Sequence, residues 1–294
     1  MKVFYTILLV LFCFAIKAQS IVILNAVTKE PVPFATVLAR LNQEPVSRDY
    51  CNQDGSVKIS IKNYDVLEVS CIGFTTVALD KAAIGAEVLL QPIAFQLDEV
   101  VITGRTNVVT VGYTDRKKND FSGIAAEFKD AVFIPNTTGN AGYIKSFLFK
   151  IVKAKNRFAY RLHFYKRATG KNYPGEEVTP ANIIGFVEKD TKGLTELDLT
   201  EYTIEFPETG IFVSIEGLGA CDGNGKIIEA KDAYITYEDF QSAEPIYFHQ
   251  PEFFISTGWI NQNERIIRDY KENGNSKPPV EALRVPSFGL KVYR

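Results

Sequence analysis

The side chains of this chain best suited to binding chemistry form an alternating polar stripe: Arg161, His163, Tyr165 and Arg167. In the segment RFAYRLHFYKRA, the alternation places these residues on one face of a strand and Phe158, Tyr160, Leu162 and Phe164 on the other. On an exposed sheet face, two guanidinium groups and an aromatic ring would lie side by side, which suits a sugar, an acidic glycan or the carboxylates of a partner protein. The other interpretation is an ordinary solvated face packed by its neighbours.

Histidine-dependent chemistry has little support, because the chain holds only two histidines, His163 and His249. A serine or cysteine nucleophile needs a histidine within hydrogen-bond reach, and no G-x-S-x-G or similar turn accompanies either one. A zinc site takes about three His, Cys or carboxylate ligands, and the sequence has neither an H-E-x-x-H motif nor paired-Cys spacing. The sequence therefore predicts no catalytic residue, no metal site and no cofactor.

Oxygen-rich side chains occur in two further places. In CDGNG, residues 221–225, Asp222 and Asn224 could contribute oxygens, but calcium takes roughly six to eight. A tight turn is the preferred interpretation there, and calcium binding stays open. Glu216 and Asp198 are the carboxylates that a glycosidase could use, although the separation that would distinguish its mechanism cannot be read from sequence.

The first eighteen residues predict export. Lys2, an apolar run over 3–16 and the small residue Ala18 form the pattern of a secretory signal peptide. The run is shorter than the roughly 20 apolar residues that a spanning helix needs. No later stretch approaches that length, so we expect no transmembrane segment in the mature chain.

The composition, 46% hydrophobic and 23% charged, is that of a globular protein. The formal net charge is −2, and cleavage of the leader would make it more negative, so no basic field exists to hold nucleic acid. A length of 294 residues suggests about two domains of roughly 100–200 residues each. Cys51, Cys71 and Cys221 lack the spacing of a disulfide framework, and Cys71 is expected to be a small buried hydrophobe.

Residues 19–104 read as short β-branched and aromatic runs broken by turn residues, which predicts an all-β sandwich. Gln53-Asp54-Gly55 predicts a tight hairpin turn, since Asp and Gly tolerate positive φ. Four motifs follow one another along this region: EPVPFATV (30–37), NQDGSVKISI (52–61), DVLEVSCIGF (65–74) and LDEVVITG (97–104).

The order of these motifs resembles the carboxypeptidase-regulatory-like domain, a prealbumin-like seven-stranded sandwich. Such domains commonly begin exported proteins of the Gram-negative envelope, including TonB-dependent outer-membrane transporters. The resemblance implies that LDEVVITG is the closing strand of the sandwich. It also implies a folding or docking unit without catalytic residues.

The polar segment 105–122 is interpreted as an interdomain linker, and 123–294 as a second, larger antiparallel sandwich. Alternation in GYIKSFLFKIVK (142–153) and RFAYRLHFYKRA (157–168) predicts a half-buried antiparallel pair. SFGLKVY (287–293) predicts a C-terminal strand, and Trp259 is expected in a core or interdomain position. Further inward positions are predicted at Leu197, Leu199, Ile211, Val213 and Ile215. The region resembles the jelly-roll-like C-terminal half of exported proteins that carry a regulatory-like domain.

Together these features predict an exported all-β protein of two sandwiches, located in the periplasm, at the outer membrane or at the cell surface. We expect a non-enzymatic binding or assembly module with a glycan or an envelope protein as partner, and the oligomeric state stays open. The alternative is a glycan-active hydrolase with carboxylates in the C-terminal sandwich. A deep pocket with two carboxylates and a strongly perturbed acid would favour that alternative.

Overall fold

The computed structural model divides the chain into two compact units, residues 1–71 with 75–92, and residues 72–74 with 93–294. Both are built from β-strands, so the all-β prediction is confirmed. The residues that the structure describes are 19–93, 107–118, 120–137, 139–250, 258–274, 278–279 and 282–294. Two predicted features, the signal peptide and the LDEVVITG strand, lie outside these residues. No helix within them is long and apolar enough to cross a membrane.

The described part of unit one holds seven strands and a 3₁₀ turn at Lys81–Ala83. The strands are β1 (Gln19–Asn25), β2 (Thr36–Leu41), β3 (Glu44–Tyr50), β4 (Ser56–Ile59), β5 (Val66–Ser70), β6 (Val77–Asp80) and β7 (Glu87–Leu90). They form a three-stranded sheet, β4-β1-β7, and a four-stranded sheet, β3-β2-β5-β6. The β1–β7 pairing is parallel, whereas the other pairs are antiparallel. Alternating side chains such as Ile21, Ile23, Leu67 and Val69 are completely buried.

The turn at Gln53-Asp54-Gly55 is present, but it does not close a hairpin between paired strands. Asp54 Oδ1 accepts a hydrogen bond from Ser56 N at 2.9 Å. Gly55 has φ +75°, and a Cβ there would lie 2.5 Å from Ile23 O. Because β3 belongs to one sheet and β4 to the other, the turn carries the chain between sheets, and the hairpin prediction was wrong on this point.

Unit two contributes fifteen strands to the described residues, with a 3₁₀ turn at Thr200–Tyr202 and one helix, α1 (Gln262–Glu272). The strands are β8 (Val108–Gly112), β9 (Asp120–Ala125), β10 (Lys129–Ile134), β11 (Gly142–Ala154), β12 (Phe158–Arg167), β13 (Pro174–Glu177), β14 (Ile183–Val187), β15 (Gly193–Asp198), β16 (Glu205–Phe206), β17 (Ile211–Ala220), β18 (Tyr234–Gln241), β19 (Tyr247–Gln250), β20 (Ile260–Asn261), β21 (Arg284–Pro286) and β22 (Gly289–Tyr293).

These strands form two antiparallel sheets that pack face to face. Sheet I has the order β13-β12-β17-β10-β19-β20, with β14 also paired to β12. Sheet II has the order β21-β18-β11-β22-β8, with β15 and β16 paired to β11 and β9 paired to β18. The ring of Phe149 in sheet II meets that of Tyr160 in sheet I edge-on, with centroids 5.4 Å apart. This aromatic contact lies in the core between the sheets.

The predicted pairing of the segments 142–153 and 157–168 was wrong. The two strands, β11 and β12, lie in opposite sheets, because the edges of β11 are occupied by β18, β22, β15 and β16 and those of β12 by β17, β13 and β14. The alternation correctly marked Phe147 and Phe149 as buried, but β12 is buried on both faces. The predicted inward positions Ile211, Val213 and Ile215 are buried as expected.

The segment 105–122 is not simply a linker, because its described residues contribute β8 and the start of β9 to sheet II. β8 pairs with the C-terminal strand β22, with Gly112 opposite Gly289. Gly112 has φ +99°, and a Cβ there would lie 2.7 Å from Phe288 O. The predicted C-terminal strand is confirmed, and it lies between β11 and β8.

Candidate functional site

An open cavity of about 670 Å³ lies between the two sheets of unit two. Sheet II contributes β9, β18 and β21 to its wall, and sheet I contributes β19, β20 and the residue before β10. Helix α1 adds two polar side chains, Gln262 and Arg265. We call this cavity the inter-sheet pocket; its lining side chains include Phe121, Ser122, Phe128, Tyr234, Tyr247, His249, Gln262, Arg265 and Arg284.

A buried aspartate holds the histidine of the inter-sheet pocket. Asp130 on β10 and His249 on β19 are directly opposite in the strand register, and His249 Nδ1 lies 2.7 Å from Asp130 Oδ1. Tyr247 donates its hydroxyl to the same oxygen at 3.1 Å, and Tyr237 donates to Oδ2 from the facing sheet. Burial, reinforced by the charge of Asp130, raises the pKa of both tyrosines well above the ordinary value, so both remain hydroxyl donors.

A second buried carboxylate, Asp239 on β18, lies behind the pocket wall. Its Oδ2 accepts a hydrogen bond from Ser122 Oγ at 2.7 Å and lies 3.5 Å from Arg284 Nε. Its Oδ1 is buried and has no hydrogen-bond partner within the described residues. Burial raises the pKa of Asp239 to about 7, assisted by the negative charges of Asp130 and Asp120 and opposed by Ser122 and Arg284.

Both arginines of the inter-sheet pocket already have partners that position them. Arg265 donates from Nε and Nη2 to Gln262 Oε1, at 3.2 and 2.9 Å, and its Nη1 lies 3.9 Å from Asp269. Arg284 forms an ion pair with Asp120 in addition to its approach to Asp239. Each guanidinium therefore has at least one carboxylate within 4 Å, which offsets part of its positive charge.

The predicted stripe does not form an exposed ligand face. Arg161, His163 and Tyr165 are buried, whereas Arg167 is exposed. Arg161 pairs in register with Glu216, and Glu216 with Lys129. The stripe thus lies on the face of sheet I opposite Asp130 and His249, since successive residues of a strand point to opposite faces. The prediction of exposure was wrong for three of the four residues.

Two side chains from other parts of the chain cover this face: Asn182, which lies between β13 and β14, and Trp259, which lies immediately before β20. Asn182 Oδ1 accepts a hydrogen bond from Arg161 Nε at 2.8 Å. The ring of Trp259 meets that of Tyr165 edge-on, with centroids 5.5 Å apart. Trp259 also packs against the main core, as predicted. The local alternation of the stripe could not reveal these partners, because they come from elsewhere in the chain.

Under this cover, Glu216 is the centre of a buried charge network. Its Oε2 lies 3.0 Å from Arg161 Nη1, 2.8 Å from His163 Nε2 and 3.9 Å from Lys129 Nζ. Burial alone would raise the pKa of Glu216, but the three cationic groups outweigh it and hold the pKa well below the ordinary value. His163 Nδ1 lies 2.7 Å from Glu177 Oε1. Both ring nitrogens of His163 thus face carboxylates.

The remaining sequence candidates do not join either cluster. Asp222 Oδ1 accepts hydrogen bonds from the backbone N–H groups of Asn224 and Lys226, at 2.9 and 3.0 Å, so the predicted tight turn is confirmed. Asp198, the other suggested carboxylate, is exposed and accepts from Thr200 N at 2.8 Å. It lies in sheet II, whereas Glu216 lies in sheet I. The pairing of the strands therefore does not bring the two carboxylates together.

The described residues hold no group of three or more His, Cys, Asp and Glu side chains that could bind a metal ion. Cys71 is buried, as predicted, and so are Cys51 and Cys221. No disulfide joins these three thiols.

The pair of Asp130 and His249 was missed by sequence reasoning. The two residues are 119 positions apart along the chain, so no short motif contains them. Their alignment depends on the antiparallel register of β10 and β19. A weak signal exists in YFHQ, where Tyr247 and His249 alternate and so share a face.

Comparisons with known proteins give no family. No protein-family model matches the chain, and no curated protein matches it. A structure of the cysteine protease and lectin-like domains of Cwp84, a surface-layer-associated protein of Clostridium difficile, is similar over 60% of this chain and 37% of that one, at 11% identity and a TM-score of 0.35. A structure of infectious bursal disease virus, Gx strain, is similar over 88% of this chain and 55% of that one, at 12% identity and a TM-score of 0.23. Likenesses at this level carry no argument about function.

Proposed function

We propose that the protein is an exported binding module of the cell envelope or surface, and that the inter-sheet pocket of unit two is its ligand site. The convergence of aromatic and hydrogen-bonding side chains from both sheets and α1 on one open cavity of about 670 Å³ carries this proposal. Small-molecule sites are commonly concave, with mostly apolar walls and a few placed polar groups. The pocket has this character, with aromatic rings around His249, Gln262 and Arg265.

Export and an envelope location are parts of the same proposal. The apolar leader pattern and the resemblance of the first region to a regulatory-like domain support them. Under this proposal unit one is a folding or docking unit, and unit two binds a glycan or a chemical group presented by an envelope protein.

A fragment screen tests the binding role without presupposing the ligand. The library contains neutral sugars, carboxylic acids, amines and aromatic fragments, and binding is detected by ligand-observed NMR. In the Phe121→Ala/Arg265→Ala double variant, we expect fragments that bind the parent protein to lose at least about tenfold in affinity, because an apolar wall and a charged hydrogen-bond donor are both removed.

The matched control is the Leu194→Ala/Arg268→Ala variant. Leu194 is another exposed apolar residue of sheet II, and Arg268 is another arginine of α1; neither lines the pocket. If the fragments bind both variants with the affinity that they have for the parent protein, the binding site lies elsewhere and the proposal is contradicted.

The second candidate is a glycan-active hydrolase, which is favoured by the presence of two carboxylates and a perturbed acid near the pocket. The pKa of Asp239 is raised to about 7, mainly by burial, and Asp130 is hydrogen-bonded to His249. This candidate ranks second because neither carboxylate lines the pocket; Ser122, Tyr247 and His249 lie in the wall instead. Release of reducing ends from starch or xylan by the parent protein, abolished in Asp130→Asn, would reverse this order.

A further inference from the structure

We infer that His249 presents Nε2 to the inter-sheet pocket as a hydrogen-bond acceptor, and that the ligand is a neutral, hydroxyl-bearing molecule of the sugar or polyol class. This inference rests on the proposed binding function, because it names the ligand class of the same pocket. Three features carry it: the hydrogen bonding of His249, the charge balance of the pocket and the aromatic wall beside the imidazole.

Hydrogen bonding fixes which nitrogen of His249 carries the proton. Asp130 accepts hydroxyl hydrogens from Tyr237 and Tyr247, so its carboxylate acts as acceptor and the imidazole donates from Nδ1. Within the described part of the chain, no residue hydrogen-bonds His249 Nε2. A neutral imidazole protonated at Nδ1 has a lone pair at Nε2, and a ligand hydroxyl is a natural donor to it.

The two histidines of the chain differ in this respect. His163 has a carboxylate at each nitrogen, Glu177 at 2.7 Å and Glu216 at 2.8 Å, so its hydrogen-bonding capacity is used inside the fold. His249 has one carboxylate, at Nδ1, and is a lining residue of the inter-sheet pocket. Only the second arrangement leaves a ring nitrogen for a ligand.

The charges around the pocket disfavour an anionic ligand. Arg284 is paired with Asp120 and lies 3.5 Å from Asp239. Arg265 has Asp269 at 3.9 Å, and the buried carboxylate of Asp130 lies behind His249. An anion would meet two guanidinium groups whose charge nearby carboxylates already offset in part, together with the negative charge of Asp130. A hydroxyl oxygen needs only an N–H donor from the arginines or from Gln262.

The aromatic wall gives the ligand an apolar face to pack against. The ring of Phe128 stacks on His249, with centroids 5.4 Å apart, and so holds the plane of the imidazole. Phe121 leaves half of its surface exposed at the same pocket. A pyranose ring has an apolar C–H face and hydroxyl groups around its edge, which matches this combination of rings and polar groups.

Histidine-selective ¹⁵N NMR of the full mature chain tests the inference, because the spectrum contains just His163 and His249; a second sample, ¹⁵N-labelled at arginine, reports the Arg265 Nε–H signal. The probes are maltose, glucose and glucuronate; the last two differ by a carboxylate in place of a hydroxymethyl group. At pH 7.5, we expect His249 to show a protonated Nδ1 and an unprotonated Nε2. Maltose should shift the His249 Nε2 signal and leave His163 unmoved, and glucuronate should bind no more tightly than glucose.

A variant measures the hydrogen bond itself. His249→Phe removes the acceptor and keeps a ring against Phe128, and we expect it to weaken maltose binding by about three- to tenfold, the value of one neutral hydrogen bond. His249→Gln, which restores an acceptor, should recover part of the affinity. Because the NMR readout uses the parent protein, the inference remains testable if either variant folds poorly.

The outcomes separate the inference from the proposed function. A proton on His249 Nε2, tighter binding of glucuronate than of glucose, or sugar binding that moves the Arg265 Nε–H signal but not His249 would overturn the inference. If the sugars move neither signal while another fragment moves Arg265, the ligand class is wrong and the binding role stands. If neither sugars nor fragments move His249 or Arg265, both proposals fail.

Discussion

Arg161 Nη1 and Glu216 Oε2 lie 3.0 Å apart on neighbouring strands of sheet I, and less than a twentieth of either side chain is exposed. The pair is completed by His163 and by Lys129, which approach the same carboxylate oxygen. A buried ion pair of this kind adds little net stability over an apolar pair, but the loss of one partner leaves an uncompensated charge in a dry environment. The network therefore makes each of its members hard to replace singly.

Glu216→Gln should destabilise unit two by about 3–5 kcal/mol, because the buried side chains of Arg161 and His163 would lose the carboxylate that they share. Urea unfolding followed by the fluorescence of Trp259, the single tryptophan of the chain, measures this change in unit two. The control is Glu176→Gln, which breaks an exposed ion pair with Lys166. Such pairs contribute about 0–1 kcal/mol, so a similar loss in both variants would contradict the role given to the buried network.

The same network predicts acid sensitivity. The pKa of Glu216 is held well below its ordinary value of 4.5 despite the opposing effect of burial. A depressed folded-state pKa contributes stability that is fully present above the unfolded pKa and is lost as the pH falls through the folded pKa. We expect the free energy of unfolding of unit two to fall steeply below pH 4.5. The decline should be smaller in Glu216→Gln, and equal slopes in the two proteins would count against this explanation.

The raised pKa of Asp239 predicts a pH dependence of the free energy of unfolding with the opposite sign. Its folded pKa of about 7 lies above the ordinary value of 3.8, so its contribution to stability is present below pH 3.8 and is lost as the pH rises to about 7. Asp239→Asn keeps the protonated shape without the charge, and it should stabilise unit two at pH 8 by up to about 4 kcal/mol.

Urea midpoints at pH 4, 6 and 8 test the Asp239 prediction. The advantage of Asp239→Asn should grow across this series. The matched control is Asp198→Asn, an exposed carboxylate in the same sheet whose pKa is lowered by its hydrogen bonds to Thr200; it should show no such growth. An Asp239→Asn protein that is less stable at pH 8 than the parent protein would show that the carboxylate is ionised and well paired.

Local patterns predicted the strands of this protein well, and the partners of those strands poorly. The inward positions Ile211, Val213 and Ile215 could be predicted without the rest of the chain, because successive side chains of a single strand point to opposite faces. The predicted exposure of Arg161 and His163 failed because Glu216 and Glu177 approach from other strands. Charged residues are usually solvated, and nothing in the local sequence distinguishes the exception.

Local patterns could not predict the candidate pocket, for the same reason. Asp130 and His249 become neighbours through the register of β10 and β19, and Tyr237 reaches Asp130 from the opposite sheet. Helix α1, by contrast, had a readable signal. Asn261 followed by Glu264, with Gly274 after the last turn, matches the start and stop residues of a helix.

Gly217 on β17 permits a close backbone approach beside the pocket. A Cβ at this position would lie 1.9 Å from Ala125 O, an atom of a residue that lines the inter-sheet pocket. Gly217→Ala must displace β9 or distort β17, and overpacking of this kind costs about 1–3 kcal/mol. Gly223→Ala is the matched control, because nothing lies within 4 Å of its added Cβ. Urea unfolding should separate the two variants; equal stabilities would show that β9 accommodates the methyl group.

The amino end of α1 offers a test of how the pocket arginine is positioned. Asn261 Oδ1 accepts a hydrogen bond from Glu264 N at 3.0 Å and caps the helix that carries Gln262 and Arg265. Asn261→Ala should cost about 0.5–2 kcal/mol through loss of this cap. Asn261→Asp should retain the stability, since its carboxylate keeps the acceptor and interacts favourably with the helix dipole. If urea unfolding shows that Asn261→Asp lowers the free energy of unfolding as much as Asn261→Ala does, the hydrogen bond from Glu264 N does not stabilise this end of the helix.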